Sequence, residues 1–335
     1  MLKWNNNLCE PVLITYNRAD YVDRTLECFY KIKNTGMRFH VLNNCSTDHT
    51  AEIIHKWQEK WPELTYHKNR YNIGGNANIL RAIELTDAEY IWVIGDDDQW
   101  YLDDVSELID ILNSKKADVI RLGWLLAESE KGKFAPASQL FNTKSFFFAS
   151  VSMISSTIVR RTLVIPYLPW AYMNIANMYP QLIAVIKSYE KQELAVYSLQ
   201  HALMLHTPSQ EPGYFKADLE WYAMWHRTAG FFSHKMNQKM FINEADRYMV
   251  RPKHGFINEF KGLLKLSLNA KANQIPQGSY IAELFFLAYG YRFRSFCLAV
   301  GYFLLPSFMA IKAKKLYYFL QKRKPNTMKY DHSRL

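Results

Sequence analysis

The chain has 335 residues, enough for one large domain or a domain with an appendage. Its 49% hydrophobic and 21% charged content excludes a disordered polypeptide. The net charge of +10 is uneven: residues 247–335 carry 16 Lys+Arg against 3 Asp+Glu, while residues 1–246 carry 25 against 28, so an anionic partner is expected only for the C-terminal quarter.

Residues 11–16 (Pro-Val-Leu-Ile-Thr-Tyr) read as a buried strand. A helix follows over 20–33, with Tyr21, Leu26, Phe29, Tyr30 and Ile32 on its apolar face. Arg38 to Leu42 is a second strand, ending in Asn43-Asn44-Cys45-Ser46-Thr47-Asp48. Thr47 or Asp48 is placed to cap a helix over 49–60 that carries Ile53, Ile54, Trp57 and Trp61 on one side. Leu64 to His67 is a short third strand, and Asn72-Ile73-Gly74-Gly75-Asn76 is a glycine turn opening a helix to about residue 85.

Residues 90–94 form a fourth strand that runs straight into Gly95-Asp96-Asp97-Asp98. Three adjacent carboxylates repel one another, and such a cluster at a strand end points to a divalent cation and a phosphate-bearing substrate. A helix is expected over 101–113, a fifth strand over 117–122, and a loop-rich insertion over 128–150. Beyond it come a strand over 152–160, a helix over 178–189, a long apolar strand or helix over 194–206, and helices over 218–250 and 256–271.

Strands alternating with helices at this spacing predict a mostly parallel α/β sheet covered on both faces. Ligands of such sheets lie beyond the carboxyl ends of the strands. Asn17-Arg18, Asn43-Asn44 and Asp96 to Asp98 all fall on that one rim. No GxGxxG follows the first strand, which argues against a dinucleotide fingerprint. The four cysteines are scattered without a CxxC pair, so neither a zinc site nor a disulfide framework is readable, and a reducing cytoplasm is the simplest setting. The N-terminal residues lack the apolar core of a signal peptide.

Four blocks, in this order, resemble the family 2 glycosyltransferases of the GT-A fold: residues 11–18, Asn43 to Thr50, Asn72 to Asn76, and Trp92 to Asp98. The third and fourth are most similar to bacterial enzymes that build O-antigen or capsule. The resemblance implies a Rossmann-like domain, and transfer of a sugar with inversion from a UDP-, dTDP- or CDP-linked donor. It implies that Thr15, Tyr16, Asn17, Arg18, Asn72, Gly74 and Asn78 surround the nucleotide-sugar and that Asn44 meets the pyrimidine at a position often held by aspartate. It also implies that Asp96 and Asp97 approach the donor, and that Asp96 and Asp98, with His206 as a further ligand, hold Mn²⁺ or Mg²⁺.

The resemblance fails at one place. Where the family often carries an acid as base, well past the aspartates, this chain reads Asn174-Ile175-Ala176-Asn177-Met178. Glu211, in a Pro- and Gly-flanked loop, and Asp218 are the substitute candidates for the proton acceptor. A degenerate transferase retained as an assembly partner is the alternative that this gap suggests. Nucleotidyl transfer is disfavoured, because Thr15-Tyr16-Asn17-Arg18 replaces the glycine-rich loop it needs.

The expected organisation is a catalytic domain over 1–215 and a helical, basic region over 216–335. Residues 285–311 are rich in aromatic and aliphatic side chains, with an uncharged core from Ser295 to Ile311 interrupted by Pro306. This reads as an interfacial or re-entrant helix rather than a span. Each nearby Lys or Arg contributes roughly 1 kcal/mol at an anionic leaflet. Peripheral or monotopic attachment at the cytoplasmic face of the inner membrane is expected, and the resemblance together with this basic tail implies a polyprenyl-diphosphate-linked glycan as acceptor. A nucleic-acid partner is not expected of so apolar a tail.

Overall fold

In the computed structural model the described residues are 3–143, 145–206 and 224–245, with a few isolated positions at 247 and between 304 and 316. The chain divides into two compact units, Met1–Thr207 with Thr228–Glu244, and Pro208–Arg227 with Ala245–Leu335. The sheet and the candidate site belong to the first.

That unit is built on ten strands: β1 Cys9–Thr15, β2 Phe39–Asn43, β3 Leu64–Lys68, β4 Tyr90–Gly95, β5 Gln99–Trp100, β6 Val119–Arg121, β7 Lys133–Pro136, β8 Thr157–Arg160, β9 Ala195–Ser198 and β10 Met204–Leu205. Helices α1 (Ala19–Tyr30), α2 (Thr50–Lys60) and α3 (Gly75–Glu84) are the crossovers between the first four strands, and α4 (Ser106–Ser114) leads to β6. Eight strands form one sheet in the order β3-β2-β1-β4-β8-β6-β9-β7. The pairs β3-β2, β2-β1 and β1-β4 are parallel, β8 runs against both its neighbours, β6 and β9 are parallel, and β7 closes the edge antiparallel.

The chain steps outward from β1 to β3 and then returns to place β4 on the other side of β1. The strand order therefore reverses between β1 and β4, which opens a crevice at their carboxyl ends. β1 and β4 are buried along nearly their whole length, so they read as continuous apolar runs rather than alternating ones. One sheet face packs α1 and α2 through interlocked rings: Phe29 lies 5.6 Å from Trp92 and 5.0 Å from Trp100, and Phe39 lies 5.4 Å from Trp61. Each such ring removes about 150–250 Å² from water, which makes this cluster a main source of the unit's stability.

The first four strands, α1, α2 and α3 agree with the sequence pattern to within a few residues. Four expectations are corrected. The helix expected from 101 begins at Ser106, because Gln99 and Trp100 instead pair antiparallel with Leu205 and Met204. The insertion over 128–150 is largely ordered: β7 and helices over 137–142 and 147–152 occupy it. The strand over 152–160 is reduced to β8, since 154–156 forms a 3-10 turn. The run over 194–206 is two short strands, β9 and β10, rather than one long element.

A second aromatic cluster explains the ordered insertion. Phe148 lies 5.3 Å from Phe232 and 5.5 Å from Phe241, and Phe141 stacks on Phe232 at 5.8 Å. The helix Lys235–Ala245 is tied in by Glu244, whose Oε1 accepts the Ala149 N–H at 2.8 Å. The helices expected over 256–271 and the 285–311 segment lie outside the described residues. Among the described residues no helix is long and apolar enough to cross a membrane.

Candidate active site

The crevice between β1 and β4 is closed by hydrogen bonds from one strand end to the other. Thr15, the last residue of β1, donates its hydroxyl to Asp96 Oδ2 at 2.7 Å. Arg18 donates one guanidinium nitrogen to Asp96 Oδ1 at 2.9 Å and to Asp97 Oδ2 at 3.1 Å. Thr25 on α1 donates to the Asp96 carbonyl at 3.0 Å, and Ser155 accepts the Gly95 N–H at 2.9 Å. The three aspartates are therefore held apart in different surroundings, which lowers the repulsion their adjacency implies.

Asp96 is buried, and burial pushes its carboxyl up to about 6 despite Arg18 and Thr15, which pull it down. Burial also raises Asp97, with the neighbouring Asp98 adding to the effect and Arg18 opposing it. The folded state thus binds the Asp96 proton more tightly than an unfolded chain does. The stability gained by protonation is complete below the ordinary aspartate value of 3.8 and is lost as pH rises through about 6. Replacing Asp96 by Asn is expected to flatten the stability profile of the ligand-free protein between about pH 4 and pH 7, read by urea denaturation at each pH. A variant that keeps the full wild-type slope would show that another group carries it.

Asp98 faces another partner. His206, just past β10, places Nδ1 3.1 Å from Asp98 Oδ1. The antiparallel pairing of β5 with β10 carries out this convergence, bringing residues 108 apart in sequence together. Trp124 backs the imidazole edge-on at 5.8 Å. Gly123, before it, has φ +135, and a Cβ there would sit 2.5 Å from Ala202 Cβ, so the close approach of these two loops requires glycine.

The remaining rim is a set of asparagines. Asn17, at φ 53, accepts the Thr47 N–H at 2.7 Å through Oδ1, while Ser46 accepts its own N–H at 2.8 Å, locking the β1 exit to the β2 exit. Asn44 is buried, and its Oδ1 accepts from Asn69 Nδ2 (2.9 Å) and from the Ile73 N–H (3.0 Å). Asn44 Nδ2 donates to Asn72 Oδ1 at 2.8 Å, which also accepts the Gly74 N–H at 2.9 Å. Asn78 Oδ1 accepts the other hydrogen of the same Asn69 Nδ2 at 2.8 Å. Gly74 stands at φ +83 immediately before α3. Tyr16 is exposed at the mouth of the crevice.

Thr15, Asn17, Arg18, Asn44, Asn72, Gly74, Asp96, Asp97, Asp98 and His206 thus all stand at the carboxyl ends of the strands or in the turns that follow them, and Asn78 in the first turn of α3. The residues expected to hold a metal differ in their partners. Asp96, expected to share a cation with Asp98, has Oδ2 taken by Thr15 and Oδ1 by Arg18. On this rim, Asp98 and His206 present a carboxylate and an imidazole to one another. Among the described residues no cluster of three or more His, Cys, Asp or Glu side chains is arranged to hold a metal. Glu211 and Asp218 lie outside the described residues.

Asn69, Thr25, Ser155 and Asn76 were not singled out from sequence. Asn69 directly follows β3, so its strand-end position was a usable signal; Thr25 and Ser155 had none, because their roles depend on packing from α1 and the 3-10 turn. Asn76 donates to the carbonyls of Ile175 and Asn177 at 2.9 and 2.8 Å. Asn177, at the place where an acid was sought, is buried and bonded to Thr228 at 2.9 Å, so this position serves the loop's structure.

An α/β sheet of this order, with an aspartate run at the switch point, is the GT-A architecture. Solved structures share it over most of the chain. Staphylococcus aureus TarS superposes with a TM-score of 0.56 at 16% identity, covering 96% of this chain and 56% of that one. The mannosyltransferase PcManGT from Pyrobaculum calidifontis, solved with GDP-Man and Mn²⁺, superposes with a TM-score of 0.52 at 12% identity, covering 92% and 86%. At sequence level, residues 12–162 match the profile described as glycosyl transferase family 2. Among curated relatives, abequosyltransferase RfbV of Salmonella typhimurium is 31% identical over 116 residues, 34% of either chain. The dTDP-rhamnosyl transferase RfbG of Shigella flexneri is 25% identical over 105 residues, 30% of this chain and 36% of that protein. The matches thus span about a third of each relative's length.

Proposed function

We propose that the protein is a metal-dependent, inverting glycosyltransferase that moves a sugar from a nucleoside-diphosphate donor to a polyprenyl-diphosphate-linked glycan during surface-polysaccharide synthesis. The observation that carries this reading is the convergence of Arg18, Asp96, Asp97, Asp98 and His206 on the rim between β1 and β4. The family segment and the two O-antigen relatives support the reaction class. The degenerate-transferase alternative is not favoured, because the donor-side residues Arg18, Asp96, Asp97, Asp98 and His206 are assembled on one rim.

A divalent cation fits the Asp98–His206 pair, since an anionic oxygen and an imidazole nitrogen suit Mn²⁺ or Mg²⁺ bound mainly by substrate phosphates and water. Asp98 and His206 would hold the cation against the donor's diphosphate. When bound, the cation neutralises charge on the departing diphosphate. Arg18, already paired with Asp96 and Asp97, keeps those carboxylates from repelling the donor. The proton of the attacking acceptor hydroxyl is assigned to Glu211 or Asp218. The catalytic domain is taken as 1–215, and the basic 216–335 region as its attachment to the cytoplasmic face of the inner membrane.

Thermal shift with nucleoside diphosphates and nucleotide sugars, with and without Mn²⁺, tests the donor half. A donor at about 100 times its Kd is expected to stabilise the protein by about 2.7 kcal/mol, and only with metal present. Stabilisation that is the same without metal would remove the metal from the reading. Glu211→Gln and Asp218→Asn divide the base assignment: one is expected to keep donor binding and lose transfer by about 10²–10⁴-fold. If both variants turn over normally, neither residue is the base.

A further inference from the structure

Glu10, His40 and His67 share one face of three adjacent strands. Val12 stands opposite His40 and Leu42 opposite His67, so the three side chains run diagonally across β1, β2 and β3. They form a chain of contacts. His40 Nε2 lies 3.3 Å from Glu10 Oε2, and His40 Nδ1 lies 3.2 Å from His67 Nε2. Arg38 pairs with Glu10 Oε1 at 2.5 Å. Glu10 and His40 are buried, and the proposed transfer uses none of these groups.

The proton positions follow from the partners. A carboxylate only accepts, so His40 Nε2 carries its hydrogen toward Glu10. The other nitrogen of the neutral ring then accepts, so the hydrogen between the two imidazoles belongs to His67 Nε2. One added proton can be accommodated. It is taken up at His67 Nδ1, the Nε2 hydrogen passes to His40 Nδ1, and the charge rests on His40 beside Glu10. A second proton cannot be accommodated, because two N–H groups would then face each other at 3.2 Å with no acceptor between them. Burial lowers the proton affinity of His40, with Glu10 opposing that shift and Arg38 adding to it. Burial lowers that of His67 as well, and His40 and Arg81 of α3 add to the effect. His55 of α2 lies on the other side of β3, edge-on to Tyr66 at 5.2 Å.

We infer that Glu10, His40 and His67 form an acid-sensitive latch, which holds β3 to β2 at neutral pH and releases it, with the asparagine rim behind it, in mild acid. β3 is the outermost strand at its end of the sheet and pairs with β2 alone. Asn69 directly follows it: its N–H donates to the Asn43 carbonyl at 2.9 Å, and its side chain donates to Asn44 and Asn78. Opening β3 therefore also frees Asn44, whose Oδ1 holds the Ile73 N–H. Once β3 has opened, both rings titrate near the ordinary histidine value of 6.5 and can bind two protons, whereas the closed pair binds one at most. The latch is thus intact above 6.5, and the open state gains up to about tenfold per pH unit as pH falls below it. This sign is opposite to that of Asp96, so the effect is read locally rather than from global unfolding. The latch does not depend on what the rim binds, so its failure would leave the transferase reading standing, and the reverse also holds.

Hydrogen exchange on the full ligand-free chain, expressed as protection factors between about pH 7.5 and about pH 5.5, tests this. Protection over residues 64–73 is expected to fall by about tenfold across that range, while β1 and β4 stay protected. In His67→Gln, whose amide can donate to or accept from His40 Nδ1 but does not titrate, that fall is expected to disappear. An equal fall in the variant would assign the response to another group, such as His55, and overturn the inference. So would wild-type protection that does not change with pH. Should the variant not fold, the ring-nitrogen NMR spectrum of the wild-type histidines decides. At about pH 7.5, His40 and His67 are both expected to carry their hydrogen on Nε2. A His40 hydrogen on Nδ1 would break the chain of bonds and overturn the latch.

Discussion

Asp98→Ala is expected to lower transfer by about 10²–10³-fold while leaving the protein folded. Both halves of that expectation follow from its surroundings. The Asp98 carboxylate faces His206 at 3.1 Å and, among the three aspartates, is the one not bonded to Arg18 or Thr15. Its loss takes away one of the two residues proposed to hold the cation but strands no buried cation, so the change in stability should stay within about 1 kcal/mol. Asp96→Ala would be a poorer test, because it leaves the Thr15 hydroxyl and Arg18 without their carboxylate. Steady-state kinetics across a Mn²⁺ titration separate the outcomes. A raised metal requirement with partial recovery of kcat at high Mn²⁺ is expected for His206→Ala, and a loss that metal does not restore for Asp98→Ala. Unchanged turnover in the Asp98 variant would remove that residue from the chemistry.

Arg121→Ala is expected to cost about 3–5 kcal/mol of stability, the largest loss we foresee from one polar residue in the first unit. The Arg121 side chain is fully buried at the end of β6. It donates to Glu130 Oε2 (2.7 Å), Ser145 Oγ (3.3 Å), Ser150 Oγ (3.2 Å) and the Leu125 carbonyl (3.1 Å). Burial lowers its affinity for the proton, and Glu130 opposes that shift. Removing it alone leaves Glu130 facing a vacated, desolvated pocket and releases the 125–130 segment from the helix over 147–152. Replacing both by apolar residues, Arg121→Met with Glu130→Leu, should recover most of the loss, since the penalty arises from a half-broken pair. A urea double-mutant cycle reads this directly. Additive losses in the double variant would show that the bridge is not the origin of the effect.

These two residues differ in how far they could be read beforehand. Asp98 announces itself: an apolar strand that ends in Gly-Asp-Asp-Asp has no structural reason to concentrate charge. Arg121 gave no sign, being one arginine after a short apolar strand. Its partners lie in the insertion, where local pattern misleads. β7 has exposed residues on both faces because it is an edge strand, so neither a period of two nor an apolar run marks it. The helices over 137–142 and 147–152 are only six residues each, too short to show a helical period, and they hold through the Phe141, Phe148, Phe232 and Phe241 rings instead.

The same division runs through the site. Strand spacing and the polar residues that follow each strand were enough to put Thr15, Arg18, Asn44 and Asp96 to Asp98 on one rim, because parallel strands joined by right-handed crossovers leave their carboxyl ends together. His206 could be suspected as a ligand, but its approach to Asp98 depends on the two-residue pairing of β5 with β10, which no local pattern encodes. The division of labour among the aspartates was likewise decided in three dimensions, by where the Arg18 guanidinium and the Thr15 hydroxyl come to rest. So was the orientation of the Asn44 amide. Its residue type permits it to donate and accept, and the N–H groups of Ile73 and Gly74, brought up by the turn before α3, determine which end does which. Residue type and periodicity are local and follow the chain, whereas the orientation of a buried polar group is set by whichever partners the fold brings within 3 Å of it.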